Sequence, residues 1–362
     1  MLNRKTLERL PMLLPAALLL SSIVVLSGPA QAQVVTAQPP YTISVFAKSA
    51  HGYSKPDSIV QWRDSILVGY GNGVAKDGSD GKSSTIVQYS LKGTLQRILP
   101  PVLGHNDGLR IRPGTNELWA IQNEDGNPKN EPNLVIFDLE TLTQKKYVIP
   151  SVNGGGGYDD AVFKDDQVFI TASAPGPSLT RYPVLVRLTL EGNSAIVDPV
   201  LYNNDSAFNI ATGDSDDKAP MSLTDPDSLT MDLRGNLVLD SQGDSALVFI
   251  RHPYTKEQTV GILTPIKRSD TGMTITVDDT AFASKKGFLL ASDINGNTVY
   301  RIDSPPFGFE PGVAYSASDG DGIIGVLNLD DGILTPIVTS APANNLSSFR
   351  GLLFVEPQEE EN

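Results

Sequence analysis

A short strand-forming segment recurs six times along the chain, and this recurrence restricts the possible folds more than any other feature. Each copy has an acid, a small residue and then alternating apolar residues, as in Asp227-Ser228-Leu229-Thr230-Met231. In the last copy an arginine replaces the acid. The copies start at Asp57, Asp107, Asp160, Asp227, Asp279 and Arg350, with spacings of 50 to 71 residues. A period of this size is typical of propellers and solenoids.

Each unit contains further strand-like runs after the acid-led segment. In the fifth unit, for example, residues 287–290 and 298–302 are expected to form the second and third strands. No segment beyond the N-terminal region has helical periodicity. Four-stranded units arranged radially leave only short, protected edges. The sequence therefore predicts an all-β chain folded as a six-bladed β-propeller of four-stranded antiparallel blades.

The sixth unit raises a question of closure, because its inner strand lies almost at the end of the chain. Its outer strands must come from elsewhere. Residues 42–46 near the N-terminus are one candidate, and residues 323–338 are another. A ring closed by strands from both termini would have no open edge. The sequence leaves this exchange of strands open.

The N-terminal region has the pattern of a secretory signal peptide. Basic residues precede an apolar run, and Ala30-Gln31-Ala32 is a small-x-small cleavage signal. A retained membrane anchor is the alternative. We expect cleavage after Ala32, a linker over residues 33–40, one propeller domain over residues 41–356 and an acidic tail over residues 357–362. The mature protein is then a periplasmic or secreted monomer without a membrane span.

Charge and cysteine content exclude several classes of function. The net charge of −14 argues against nucleic-acid binding, which requires a basic face, and makes cation binding plausible. The chain has no cysteine, so it has no disulfide, no thiolate metal site and no cysteine nucleophile. The expected partner is a small-molecule ligand or substrate.

The repeat is expected to bring its acids together at one mouth of the propeller channel. Converging carboxylates repel each other unless a cation, or the arginine of the sixth unit, compensates them. Oxygen ligands without cysteine or paired histidines favour calcium, with magnesium or manganese as alternatives. The structural alternative is that each acid only caps its own turn. The predicted metal ligands are Asp57, Asp107, Asp160, Asp227 and Asp279.

Two segments resemble known repeats. Residues 227–238 resemble the acid-bearing repeat of the senescence-marker-protein/gluconolactonase family, and residues 291–303 resemble the related NHL-type repeat. The resemblance implies a six-bladed propeller with one divalent cation at the channel mouth, and in many members hydrolysis of lactones or related esters. Asn106-Asp107-Gly108 and Asp227 match the family's motif. The family has Glu where this chain has Asp57, and Asn where it has Asp160.

The resemblance also implies roles in a reaction. Asp227 would accept the proton of a metal-bound water, Asn106 would orient the substrate and Arg350 would stabilise developing negative charge. His105 adjoins this motif and is a candidate base or substrate contact, with a surface position as the alternative. Two functions remain open at this point: an exported, cation-dependent lactone or ester hydrolase, and a non-catalytic propeller that binds a ligand or protein.

Overall fold

The computed structural model describes residues 34–50, 52–126, 131–214, 216–284, 286–304, 308–341 and 346–356. The expected signal peptide and acidic tail lie outside these residues. Within them the chain forms 29 strands and two short 3₁₀ turns, arranged as six sheets. None of their helical turns has the length or apolar character that spanning a bilayer requires. The prediction of a six-bladed β-propeller is confirmed.

The first three blades follow the chain in order, each with the acid-led segment as its innermost strand. Blade one contains β3 (Pro56–Trp62), β4 (Ser65–Tyr70), β5 (Ser83–Ser90) and β6 (Leu95–Ile98), with β7 (Val102–Leu103) beside β5. Blade two contains β8 (Asn106–Ile111), β9 (Glu117–Gln122), β10 (Asn133–Asp138) and β11 (Gln144–Val148). Blade three contains β12 (Tyr158–Lys164), β13 (Gln167–Ala172), β14 (Pro183–Glu191) and β15 (Ser194–Tyr202).

Blade four is extended at its outer edge by a polar insertion that precedes it, residues 203–224. Its four main strands are β18 (Pro226–Met231), β19 (Leu237–Ser241), β20 (Ala246–Arg251) and β21 (Thr259–Leu263). The insertion supplies β16 (Ser206–Asn209), which pairs with β21 in parallel, and β17 (Lys218–Pro220). The paired part of this insertion therefore covers a sheet edge, which would otherwise present unpaired backbone groups.

Blades five and six interleave along the chain. Blade five contains β23 (Thr280–Phe282), β26 (Ala314–Ser318), β27 (Ile323–Leu327) and β28 (Ile333–Ala341), with β22 (Lys267–Arg268) beside β28. Blade six contains β29 (Phe349–Val355) on the inside, then β24 (Phe288–Asp293) and β25 (Thr298–Asp303). The assignment of residues 287–290 and 298–302 to the fifth unit was therefore wrong. Their inner partner is the distant β29, and neighbourhood in sequence did not predict this pairing.

Strands from the N-terminal region close both of these blades. β2 (Thr42–Lys48) pairs with β25 as the outermost strand of blade six, as one of the two open alternatives proposed. β1 (Val34–Ala37) pairs with β28 at the edge of blade five. Residues 34–37 were expected to lie in a linker, and they form a strand because the edge of β28 offers them unpaired backbone groups. Residues 323–338 belong to blade five and not to blade six.

The hydrophobic core lies between the blades. Six buried clusters are found among the described residues, one at each contact between neighbouring blades. For example, Val60 and Leu67 of blade one pack with Leu109 and Leu118 of blade two. Because both faces of each sheet pack on a neighbour, the strands are apolar on both faces, as β4 shows with six buried residues in succession.

The inner strands carry a local irregularity at the channel mouth. Their register with the second strand shifts at the dipeptide that follows the first residue, and this occurs in blades one, two, three, four and six. Such bulges re-aim side chains. Glycine is required where the bulge meets the next blade: a Cβ on Gly351 would overlap the carbonyl oxygen of Asp57. The bulged dipeptides therefore determine how closely the inner strands approach each other.

We expect Gly351→Ala to destabilise the propeller, because the added methyl group overlaps backbone between blades six and one. Overpacking of this kind costs about 1–3 kcal/mol. Chemical denaturation should show this decrease in the free energy of unfolding. Gly320→Ala is the matched control, since its Cβ would lie 3.6 Å from the nearest atom, the Oγ1 of Thr276. Equal stability of the two variants would contradict the close approach of the inner strands.

Candidate functional site

The first residue of each bulged dipeptide, together with the equivalent residue of blade five, contributes to a ring of charges at one mouth of the channel. Five of these residues are aspartates and the sixth is an arginine. They line one small cavity together with the second residues of the dipeptides. The ring consists of Asp57, Asp107, Asp159, Asp227, Asp278 and Arg350.

The third and fifth members of the ring are Asp159 and Asp278. Each precedes by one residue the acid that alignment of the repeats predicted, Asp160 or Asp279. Ala161 and Thr280 pair with their second strands as Leu229 does in blade four. The acids two residues earlier, Asp159 and Asp278, are therefore equivalent to Asp227. Both units contain two consecutive acids, and the alignment took the second acid because a small residue follows it. Alignment on the first paired residue of each inner strand would have identified Asp159 and Asp278.

Asp160 and Asp279, the predicted ligands from these units, line the same cavity but are engaged in joining blades. Asp160 accepts hydrogen bonds from the backbone N–H groups of Ala161 and Leu229, at 2.8 and 3.0 Å. Asp279 accepts from the N–H of Leu352 at 2.7 Å. Their predicted role as metal ligands stays a prediction, and the hydrogen bonds identify both as links between neighbouring blades.

Arg110 lies across the channel below the ring. Its guanidinium pairs with Asp160 and donates to the carbonyl oxygen of Leu229 at 2.7 Å, so that it joins blades two, three and four. Arg110 also acts on Asp279. Burial raises the pKa of Asp279 to about 7, and the positive charge of Arg110 opposes this increase. Arg110 thus supplies a fixed positive charge to Asp160 and Asp279. The carboxylates of the ring must be compensated in another way.

Three ring aspartates form a group that could hold a cation. One carboxylate oxygen each from Asp107, Asp159 and Asp227 lies within 4.8 Å of the others. Asp159 is 5% exposed, and its Oδ1 has no hydrogen-bond partner among the described residues. No lysine or arginine of these residues forms an ion pair with the three carboxylates. The cavity they border has a volume of about 30 Å³, which is room for an ion or one or two waters.

Arg350 compensates the opposite side of the ring. Its guanidinium nitrogens lie 3.8 Å from Asp57, 3.9 Å from Asp278 and 3.7 Å from Asp319, a residue of the turn after β26. Burial raises the pKa of Asp278 well above its usual value, although Arg350 opposes this. Arg350 is thus shared by three carboxylates, and the charge of Asp107, Asp159 and Asp227 is left for another cation or for protons.

A second layer of charged residues borders Asp107. His105, Asp107 and Glu124 each offer a ligand atom within 4.8 Å of the others. Glu124 follows β9, and its Oε1 lies 2.8 Å from the ammonium of Lys76, a residue of the loop between β4 and β5. His105 thus lies next to the ring. Sequence inspection did not identify Glu124 or Lys76, because neither belongs to the repeat.

Asn106 does not line the mouth. Its side chain is fully buried, and its amide nitrogen donates to the carbonyl oxygens of Ile121 and Gly108, at 3.0 and 3.4 Å. Its backbone N–H donates to Ser84 Oγ at 2.8 Å. The structure brings Asp107 to the ring and directs the preceding amide into blade two. Substrate orientation by Asn106 remains a prediction, and these contacts assign the side chain to the blade interior.

The pKa values of the acids at the mouth are shifted in different directions. Burial raises the pKa of Asp107, Asp159 and Asp227 well above the usual value, and neighbouring carboxylates add to this. Burial would also raise the pKa of Glu124, but hydrogen bonding with Asp107 and the Lys76 ammonium lower it to about 2. A metal cation must displace the protons of the aspartates, so its affinity should increase with pH. All-oxygen donors of this kind suit a hard divalent cation.

Comparison with known proteins finds similarity to solved structures at low identity. No protein-family model matches the chain, and no curated protein matches it. A protein assigned as a gluconolactonase is 13% identical over 76% of this chain and 96% of its own, with a TM-score of 0.44. A periplasmic gluconolactonase from Pseudomonas aeruginosa is 12% identical over 83% and 88%, with a TM-score of 0.46. A virginiamycin B lyase from Staphylococcus aureus with quinupristin is 13% identical over 88% and 90%, with a TM-score of 0.44.

Gluconolactonases are thus among the solved structures to which this chain is similar. These likenesses concern the propeller. The chemistry of this chain depends on its own residues.

Asp240 is a further buried acid, near Asp279. It is fully buried, its Oδ1 accepts a hydrogen bond from Thr280 Oγ1 at 2.9 Å, and its Oδ2 has no partner among the described residues. Burial, and then the nearby Asp279, raise the pKa of Asp240 well above its usual value. The folded protein therefore binds this proton more tightly than the unfolded chain does.

We expect Asp240→Asn to stabilise the protein at neutral pH. Between the usual carboxyl pKa of about 4 and the raised pKa of the folded state, wild-type stability falls by about 1.4 kcal/mol per pH unit from this group. The variant avoids that loss, so its advantage should grow from pH 4 upward in denaturant titrations. Asp166→Asn, at an exposed turn, should show no such pH-dependent difference. An advantage that does not change with pH would refute the raised pKa.

Proposed function

We propose that this protein is an exported hydrolase that binds a divalent cation at the channel mouth and acts on a small lactone or ester. The observation that carries the proposal is the group formed by Asp107, Asp159 and Asp227. Asp159 is buried and Asp107 and Asp227 are half-buried; their carboxylates lie close together and outside any ion pair with the described lysines and arginines, and one oxygen of Asp159 has no partner. Such an arrangement is costly unless a cation binds it.

The donor set supports a hard cation, and we propose calcium first. The three aspartates would hold it. Asp57, which lies next to Arg350 in the ring, would supply a further carboxylate. A bound divalent cation would polarise a carbonyl group and lower the pKa of a bound water. Export is supported by the basic N-terminal residues, the apolar run and the Ala30-Gln31-Ala32 signal.

The protein's own residues would then act as follows. Asp227, a partly exposed member of the group, would accept the proton of the attacking water at a carboxylate oxygen. Arg350 would face the negative charge that develops on the carbonyl oxygen, because its guanidinium is held by three carboxylates at the rim. Hydrolysis of the ester bond is suggested by the resemblance of this repeat to the repeat of lactone-hydrolysing propellers.

The size of the cavity favours a second candidate function. About 30 Å³ does not admit a lactone. Any substrate would have to lie above the ring, against the loops that carry Lys76 and Asp319. A propeller whose cation is structural, and whose mouth binds a ligand without reaction, therefore stands as the alternative.

Cation binding should depend on the three aspartates. In calorimetric titrations of metal-stripped protein, we expect Asp159→Ala to weaken binding of calcium at least about tenfold, or about 1.4 kcal/mol. Without metal the variant should melt at the wild-type temperature or higher, because a buried like charge has been removed. Asp166→Asn is the control for loss of a surface charge. Wild-type protein that releases no heat with calcium, magnesium or manganese would rule out the proposal.

Hydrolysis should require both the cation and Asp227. We expect cation-loaded protein to open γ- and δ-lactones or cleave aryl esters, and Asp227→Asn to lower kcat by at least about 10²-fold, the lower range for loss of a general base. The release of acid or phenol measures the reaction. Cation binding without turnover of any of these substrates would favour the non-catalytic alternative.

A further inference from the structure

Two sets of potential ligands share one residue at the channel mouth. Asp107 belongs to the group with Asp159 and Asp227, and also to a group with His105 and Glu124. The second group adds an imidazole nitrogen to two carboxylates. Its donors converge on the side of Asp107 that faces the loop between β4 and β5.

His105 is held so that one ring nitrogen is free for a ligand. Its backbone N–H donates to Asn123 Oδ1 at 3.1 Å, and its Nε2 edge packs against Gly71. Its Nδ1 is buried, lies 3.9 Å from Glu124 Oε1 and has no hydrogen-bond partner among the described residues. A buried nitrogen of this kind is costly unless something binds it.

Glu124 is the buried carboxylate of this group. Its side chain is 6% exposed, and its Oε1 makes no directed hydrogen bond within the described residues. Its charge is met by the ammonium of Lys76 at 2.8 Å, in an ion pair. The Lys76 side chain is 53% exposed, so it can turn into solvent at little cost. The ammonium occupies the place that a cation bound to Glu124 would take.

We propose that the mouth holds a second divalent cation, bound by His105, Glu124 and Asp107, with Asp107 shared between the two cations and Lys76 displaced. This inference rests on the proposed function, since Asp107 also belongs to the first group. A donor set of one imidazole and two carboxylates suits manganese, cobalt or zinc better than calcium. The mouth is then a two-cation centre of mixed character, and calcium fills the first position alone.

The test is a manganese titration of metal-stripped protein, followed by calorimetry and by electron paramagnetic resonance. We expect two equivalents of manganese in the wild type, with the signal of isolated ions broadened as the second binds, because a shared carboxylate couples the two spins. Calcium should give one equivalent. In Lys76→Met the second equivalent should bind about tenfold more tightly, since the competing ammonium is absent.

His105→Gln should bind one equivalent and show the signal of an isolated ion; the retained first equivalent shows that this variant is folded. His252→Gln, at an exposed position outside the channel, should behave as the wild type. One equivalent in both wild type and Lys76→Met would overturn the second site and leave the proposed function standing. A second equivalent that survives in His105→Gln would also overturn it. No binding of manganese or calcium at all would overturn both proposals.

Discussion

Six inner strands approach each other around a narrow channel, and this close approach governs the rest of the structure. Second residues of the bulged dipeptides join the blades in pairs: Ser58, Asp160 and Asp279 each accept a hydrogen bond from the backbone N–H of the next blade. At two of the remaining contacts glycine allows backbone to meet backbone. These side-chain hydrogen bonds link blade one to two, three to four and five to six. The first residues of the dipeptides all point to one mouth.

The same geometry concentrates negative charge. Asp160 and Asp279 are compensated by Arg110, which lies across the channel. Part of the ring is compensated by Arg350. Asp107, Asp159 and Asp227 have no such partner, and burial raises their pKa values. A ring that must hold protons or a cation is a cost to folding. Such costs are typical of functional sites, where local stability is exchanged for binding.

Closure of the ring depends on contacts between distant parts of the chain. β29 pairs with β24, and the N-terminal strands β1 and β2 occupy the outer edges of blades five and six. Both ends of the described chain are therefore held in sheets. Blade six therefore requires strands from both terminal regions, and blade five requires β1 from the N-terminal region, so both sheets depend on contacts between residues far apart in sequence.

The sequence by itself determined the all-β class, the number of blades, and the acid at the start of most inner strands, because alternation and a fixed period are local properties. Four of the residues it named, Asp57, Asp107, Asp227 and Arg350, belong to the ring that lines the cavity at the mouth. Only the tertiary structure decided that Asp159 and Asp278 complete the ring, since a bulge changes which of two adjacent acids points to the channel. Tertiary structure also decided which strands form the last two blades, and it brought Glu124 and Lys76 beside His105. Pairing between strands far apart in sequence depends on edges and loops that no local pattern encodes.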